Sequence, residues 1–170
     1  MKYSASTDKP VKIISTGVLI LFLFIGQNNV RTIIHAGADR GVILIHAAIL
    51  LFLVATLLFC YLYAPQSYSI DETGLSVNRI IGKINLKFDD LDQVRAVEEG
   101  EMNGLIRTFG VGGLFGYFGK YYANKIGNMT LYATQRKNRI LIITKQHKKI
   151  VITPDDRSML EKLEQGVKGW

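Results

Sequence analysis

The chain has 170 residues, 48% of them hydrophobic, and a formal net charge of +7 from 21 Lys and Arg against 14 Asp and Glu. This length admits one ordinary domain, or one small domain plus an anchor, and the single cysteine, Cys60, excludes a disulfide framework and a thiolate metal site. The basic excess suits nucleic acid or an anionic membrane surface. Because the apolar residues crowd into the first third, lipid is the preferred partner.

The first apolar run, 11–26, follows Lys9, Pro10 and Lys12. At about 16 residues it is slightly short for a membrane span. It has the flanks of a signal-peptide core. However, Gln27-Asn28-Asn29 follow where a small-residue cleavage site should stand, and Ala36 and Ala38 lie too far on. The expectation is therefore an uncleaved helix over about 11–27. The second run, 41–63, holds no formal charge and spans roughly 34 Å as a helix, against a hydrocarbon core of about 30 Å. Tyr61 and Tyr63 suit the headgroup level, and Pro65 ends the helix. Residues 1–66 thus form a tail and a transmembrane helical hairpin. Lys2, Lys9 and Lys12 before it, with Arg79 and Lys83 after it, outnumber Arg31 and Arg40 in its loop. This bias predicts a multi-pass protein of the cell (inner) membrane with its C-terminal domain in the cytoplasm. His46, inside the second span and without an acidic partner in either span, is expected to pack against the first helix. Ser15, Thr16 and Gly17 let the two helices approach.

From residue 67 short apolar runs alternate with turn residues. Strands are expected over 68–70, 75–78, 84–88, 94–97, 129–134, 140–144 and 150–153. A glycine- and aromatic-rich insert occupies about 100–128, with the string GVGGLFGYFGKYY at 110–122 read as a long loop. Thr153-Pro154-Asp155-Asp156 opens a helix, Met159, Leu160, Leu163 and Val167 share its inner face, and Gly166 is its expected stop. The fold class expected for 67–170 is α+β, mainly β: a seven-stranded barrel closed by a C-terminal helix.

Residues 68–75, the corner 88–94, the 110–122 string, Tyr132-Ala133-Thr134, 140–142 and 150–155 resemble the bacterial PH-like (pleckstrin-homology-like) domain family, in a membrane-anchored form with two N-terminal helices. The resemblance runs from about Tyr68 to Glu164. It implies a PH-like fold in a membrane setting and no reaction.

The glycine string fails as a phosphate loop, because Gly119-Lys120 is followed by Tyr121 and Gly113 lies at the wrong distance. It fails as a dinucleotide fingerprint, because Phe115 stands where the third glycine belongs. His147 sits in a lysine-rich turn, and the acidic pairs have no histidine or cysteine at ligand spacing. No catalytic residue, cofactor or metal is expected. The turn 71–74 and Asp89-Asp90 lie at one end of the strands and are acidic, which opposes inositide binding there. The opposite end, next to the helices, carries Arg79 and Lys83. The insert is expected to leave from that end, bringing Phe115, Tyr117, Phe118, Lys120, Tyr121, Tyr122 and Lys125 to a membrane or partner surface. Nucleic acid is set aside, since no aromatic residues interleave with the basic turns 136–139 and 145–149. The expected function is a non-enzymatic membrane protein making protein–protein or membrane-surface contacts, within a homo-oligomer or with a membrane protein partner. The alternative is a lipid or small-ligand accessory with its site under residues 110–122.

Overall fold

A computed structural model of the chain describes residues 1–168. Helix α1 spans Lys9–His35, its first turn closed by Asp8, whose carboxylate accepts from the Val11 amide at 3.0 Å. It runs well past the expected end at 27. Gln27-Asn28-Asn29 do not break it because their neighbourhood is satisfied inside the helix: Asn29 Nδ2 donates to Ile25 O and Thr32 Oγ1 donates to Asn28 O. Helix α2 spans Arg40–Tyr63 behind the Asp39 cap and packs along α1. Both are long and apolar enough to cross a membrane, with mean hydropathy of 1.8 and 2.9 over their best windows. Leu23, Leu44, Leu51 and Phe52 point outward and stay uncovered, so neither helix is the core of the following domain.

Ten strands form two sheets among the described residues. The first sheet runs in the order β1 (Lys2–Ser4), β2 (Ser67–Ile70), β3 (Gly74–Asn78), β4 (Lys83–Lys87). A 3-10 turn, Phe88–Asp90, leads to the second sheet. There the order is β5 (Leu91–Ala96), β9 (Ile140–Thr144), β10 (Lys149–Ile152), β8 (Gly127–Ala133), β7 (Tyr117–Ala123), β6 (Ile106–Gly112). Strands β8 and β10 are parallel and the other pairs antiparallel.

This corrects the seven-stranded barrel. The seven expected strands exist as β2–β5 and β8–β10, and three more join them. Strand β1 comes from the tail: Tyr3 is buried and the Met1 ammonium donates to Ile70 O at 2.5 Å. Three residues are too few to show a strand period, so β1 carries no signal of its own in the sequence. Strands β6 and β7 replace the expected loop. Gly110 and Gly119 stand opposite each other with φ of 115° and 120°, and a Cβ on either would come within 2.8 Å of the other's Cα. The glycines allow two backbones to close on each other, which their turn-like composition conceals.

Helix α3, Ser158–Lys168, packs on β5 and buries Met159 and Leu163. It continues through Gly166, where the Phe88 ring occupies the space a side chain would fill. Gly166 therefore gives clearance and is not a stop.

The second sheet is covered on both faces, which is why β9 and β10 read as unbroken apolar runs. Ile140, Ile142, Ile150 and Ile152 face a core shared with Tyr68, Leu75, Val77 and α3. Leu141 and Val151 face the other way, into a second core with Met102, Tyr121, Met129, Leu131 and the first turn of α1 through Val11.

The domain has two ends. The far end holds the turn before Gly74, the 3-10 turn, and the turns 124–126 and 145–148. Phe88 N donates to Thr73 O at 3.0 Å and Lys145 N to Asp90 O at 2.9 Å, tying three of these together. The helix end holds the turns 79–82, 113–116 and 134–139, beside the start of α1 and the end of α2.

Candidate functional site

At the helix end the β3–β4 turn closes on α2. Ile81 N donates to Leu62 O at 3.1 Å, and the Arg79 guanidinium lies 5.3 Å from the centre of the Tyr63 ring. Lys83 follows, exposed, at the start of β4. The tip of the β6–β7 hairpin is fixed to both helices. Ser15 Oγ of α1 donates to Gly113 O at 3.2 Å and accepts from Phe115 N at 2.9 Å. Phe115, at φ 60°, sets its ring edge-on to Tyr61 of α2, 5.4 Å between centres. A Cβ on Gly113 would lie 2.6 Å from Ile14 Cδ1, so the tip meets α1 as bare backbone.

The expected site residues therefore divide. Arg79, Lys83 and Phe115 share the helix end. Phe115 is wedged between the helices, while Tyr117, Phe118 and Tyr121 are buried, so they do not form an exposed aromatic strip. Lys120 is exposed in mid-strand, its ammonium donating to Thr130 Oγ1 at 3.0 Å. Lys125 lies in the turn 124–126 at the far end, away from Arg79 and Lys83. That separation corrects the placement of the insert: β7 carries the chain from one end of the domain to the other.

Beneath the same hairpin lies a cavity of about 520 Å³. Strand β6 contributes Arg107, β7 contributes Tyr117 and Tyr121, and the β8–β9 turn contributes Arg136 and Arg139. Met102 and Leu105 add apolar wall. Arg136 Nε donates to Tyr117 Oη at 3.1 Å, and the Arg136 amide donates to Asp8 Oδ2 at 3.1 Å. Tyr121 Oη donates to Val111 O at 2.6 Å. Burial pushes the Tyr121 hydroxyl up to about 12, keeping it neutral at physiological pH. Burial, then the neighbouring Arg136 charge, push Arg139 down from its ordinary value. The one ion pair among the described residues is Arg95–Glu101, at 2.7 Å, so none of the three cavity arginines has a carboxylate in ion-pair contact.

Sequence reasoning did not find this cavity. Arg136 and Arg139 stood out only as a basic turn, and Arg107 sat in an apparent loop. Knowing that β7 lies between β6 and β8 is what brings the three together.

A protein-family model described as bacterial PH domain matches residues 66–167, well over half of the chain. No curated protein and no solved structure matches.

Proposed function

We propose, for a chain that belongs to the bacterial PH domain family, a non-enzymatic role as a membrane-anchored contact module. PH domains are interaction modules for proteins or lipids, and two apolar helices precede this one. In this reading α1 and α2 span the cell membrane, the basic residues beside them hold the domain in the cytoplasm, and Arg79 and Lys83 rest near anionic headgroups. Each such charge adds about 1 kcal/mol of attraction.

The observation that carries the protein-contact part is the open edge at β6. Phe109 is 79% exposed and Ile106 60% exposed on an edge strand that pairs with β7 on one side and, among the described residues, with nothing on the other, while most of the hairpin's other aromatic residues are packed inside. An open, apolar edge strand offers unpaired N–H and C=O groups to another chain. The partner favoured is a second copy, giving a homo-oligomer, with a different membrane protein as the variant reading. Phe109→Cys in a Cys60→Ser background tests it by oxidative cross-linking in native membranes. A cross-linked dimer is expected. Monomer alone, with no adduct to another protein, contradicts it.

A second reading, a ligand site under residues 110–122, is favoured by one specific observation: the arginine-lined cavity beneath β6 and β7.

A further inference from the structure

We propose that the cavity beneath the β6–β7 hairpin binds a phosphate ester, gripped by Arg107, Arg136 and Arg139. The inference rests on the second reading above, not on contact through β6.

Charge is the first support. Three arginines line one cavity and, among the described residues, none has a carboxylate in ion-pair contact. Asp8, the acid whose charge acts on Arg139, is already engaged. Its Oδ1 caps α1 at Val11 N and receives a long bond from Tyr117 Oη at 3.5 Å, and its Oδ2 holds the Arg136 amide. Arg139 is partly buried beside Arg136. Arg107 and Arg136 are exposed, so the cost falls on Arg139, whose charge is opposed first by burial and then by repulsion from Arg136. An anion would turn that repulsion into binding.

Shape and chemistry narrow the anion. Guanidinium forks match the spread oxygens of a phosphate group. The Tyr117 hydroxyl stands at the same wall, oriented by Arg136 Nε. A cavity of about 520 Å³ is far larger than inorganic phosphate needs and falls in the small-ligand range of roughly 300–1,000 Å³. The Met102 and Leu105 side supplies apolar wall for the ester's organic part. A phosphorylated ligand with an organic tail fits better than the bare ion.

Two sources share this chemistry: a phospholipid headgroup and a soluble phosphate ester. The Arg136–Arg139 wall of the cavity lies at the helix end, beside Asp8 and the start of α1, within reach of both. That wall is at the opposite end of the strands from Asp71 and the 3-10 turn. The Met102 and Leu105 wall runs towards the turn 124–126, where Asn124 N donates to Asn103 O at 3.2 Å.

The test uses the full chain. In detergent, glycerol 3-phosphate is titrated against melting temperature. In nanodiscs of phosphatidylcholine, with and without phosphatidic acid, retained lipid is read by native mass spectrometry. Saturable binding is expected in at least one arm. Binding in the lipid arm alone assigns a headgroup, and binding in the glycerol 3-phosphate arm alone assigns a soluble ester. Arg136→Gln and Arg139→Gln should each weaken it on the order of tenfold, the scale of a lost charged hydrogen bond. Arg107→Gln, at an exposed strand position, should do the same, and Lys125→Gln should change nothing. No binding in either arm, or binding that survives all three arginine changes, overturns the proposal. Arg136 and Arg139 lie off β6, so cross-linking through Phe109→Cys should persist in the Arg136→Gln and Arg139→Gln variants, and failure of the ligand site and failure of the β6 contact are read separately.

Discussion

His46 of α2 places Nδ1 2.6 Å from Asn29 Oδ1 of α1. Asn29 Nδ2 is already donating to Ile25 O, so the amide presents its oxygen and the imidazole must carry its proton on Nδ1. The bond joins the two apolar helices in the third of each that lies nearest their connecting loop. It explains why a polar tract lies inside α1 and why a histidine lies inside α2.

Breaking this bond should loosen the hairpin. Asn29→Leu or His46→Leu each removes one partner, and interhelical hydrogen bonds between apolar helices are worth about 0.6–2 kcal/mol. The melting temperature in detergent should fall for either change, and the double variant should fall no further than the worse single one. Additive losses would show that the two side chains act apart.

Ser15 should matter more than its size suggests. Its hydroxyl both donates to Gly113 O and accepts from Phe115 N, so Ser15→Ala leaves two backbone groups of the hairpin tip without partners. A loss of about 1–3 kcal/mol is expected. Hydrogen exchange at the Phe115 amide should accelerate, while exchange in β9 and β10 stays slow. Unchanged protection at Phe115 would contradict the coupling of α1 to the tip.

The paired glycines give a sharper test of the hairpin. Gly110→Ala and Gly119→Ala each place a Cβ against the opposing backbone at positive φ. Each should cost on the order of 1–3 kcal/mol, the usual cost of such strain. Gly17 has open space around it and not the close helix contact its small size suggests, so Gly17→Ala should cost nothing measurable. Equal effects at all three positions would mean that β6 and β7 do not approach as described.

Glu101 sets an acid limit on the loop before β6. Its carboxylate accepts two bonds from Arg95, each 2.7 Å, and one from the Glu98 amide. The Arg95 bonds chiefly hold it at about 2, below its ordinary 4.5. A depressed carboxylate stabilises the fold above the unfolded value, and that stability is lost as pH falls from about 4.5 towards 2. Exchange at the Glu98 amide should therefore rise through that window, and Glu101→Gln should abolish the pH dependence. A flat profile in the parent protein would count against the pair.

The hairpin and most of the strands were legible in the sequence for a local reason. The run 41–63 has no charge, and 75–78 and 84–88 alternate cleanly, so each declares its own environment. The features that escaped depend on distant pairing. Strand β1 joins β2 across the whole helical hairpin, β5 pairs with β9, and β8 runs parallel to β10. Gly110 and Gly119 are glycines in a string whose composition suits a long loop, and a loop and a tight hairpin ask the same of glycine. The arginine cavity is a product of that same pairing, so nothing in the spacing of Arg107, Arg136 and Arg139 announced it.

The central claim is that the helices span a membrane and hold the PH-like domain at its cytoplasmic face. In a Cys60→Ser background, Ala38→Cys in the loop between α1 and α2 and Lys125→Cys in the far-end turn can be labelled separately with a membrane-impermeant maleimide in spheroplasts. The account predicts labelling at position 38 in intact spheroplasts and at position 125 only after the membrane is opened. Labelling at 125 and not 38 in intact spheroplasts, or recovery of the protein in the soluble fraction, would contradict it.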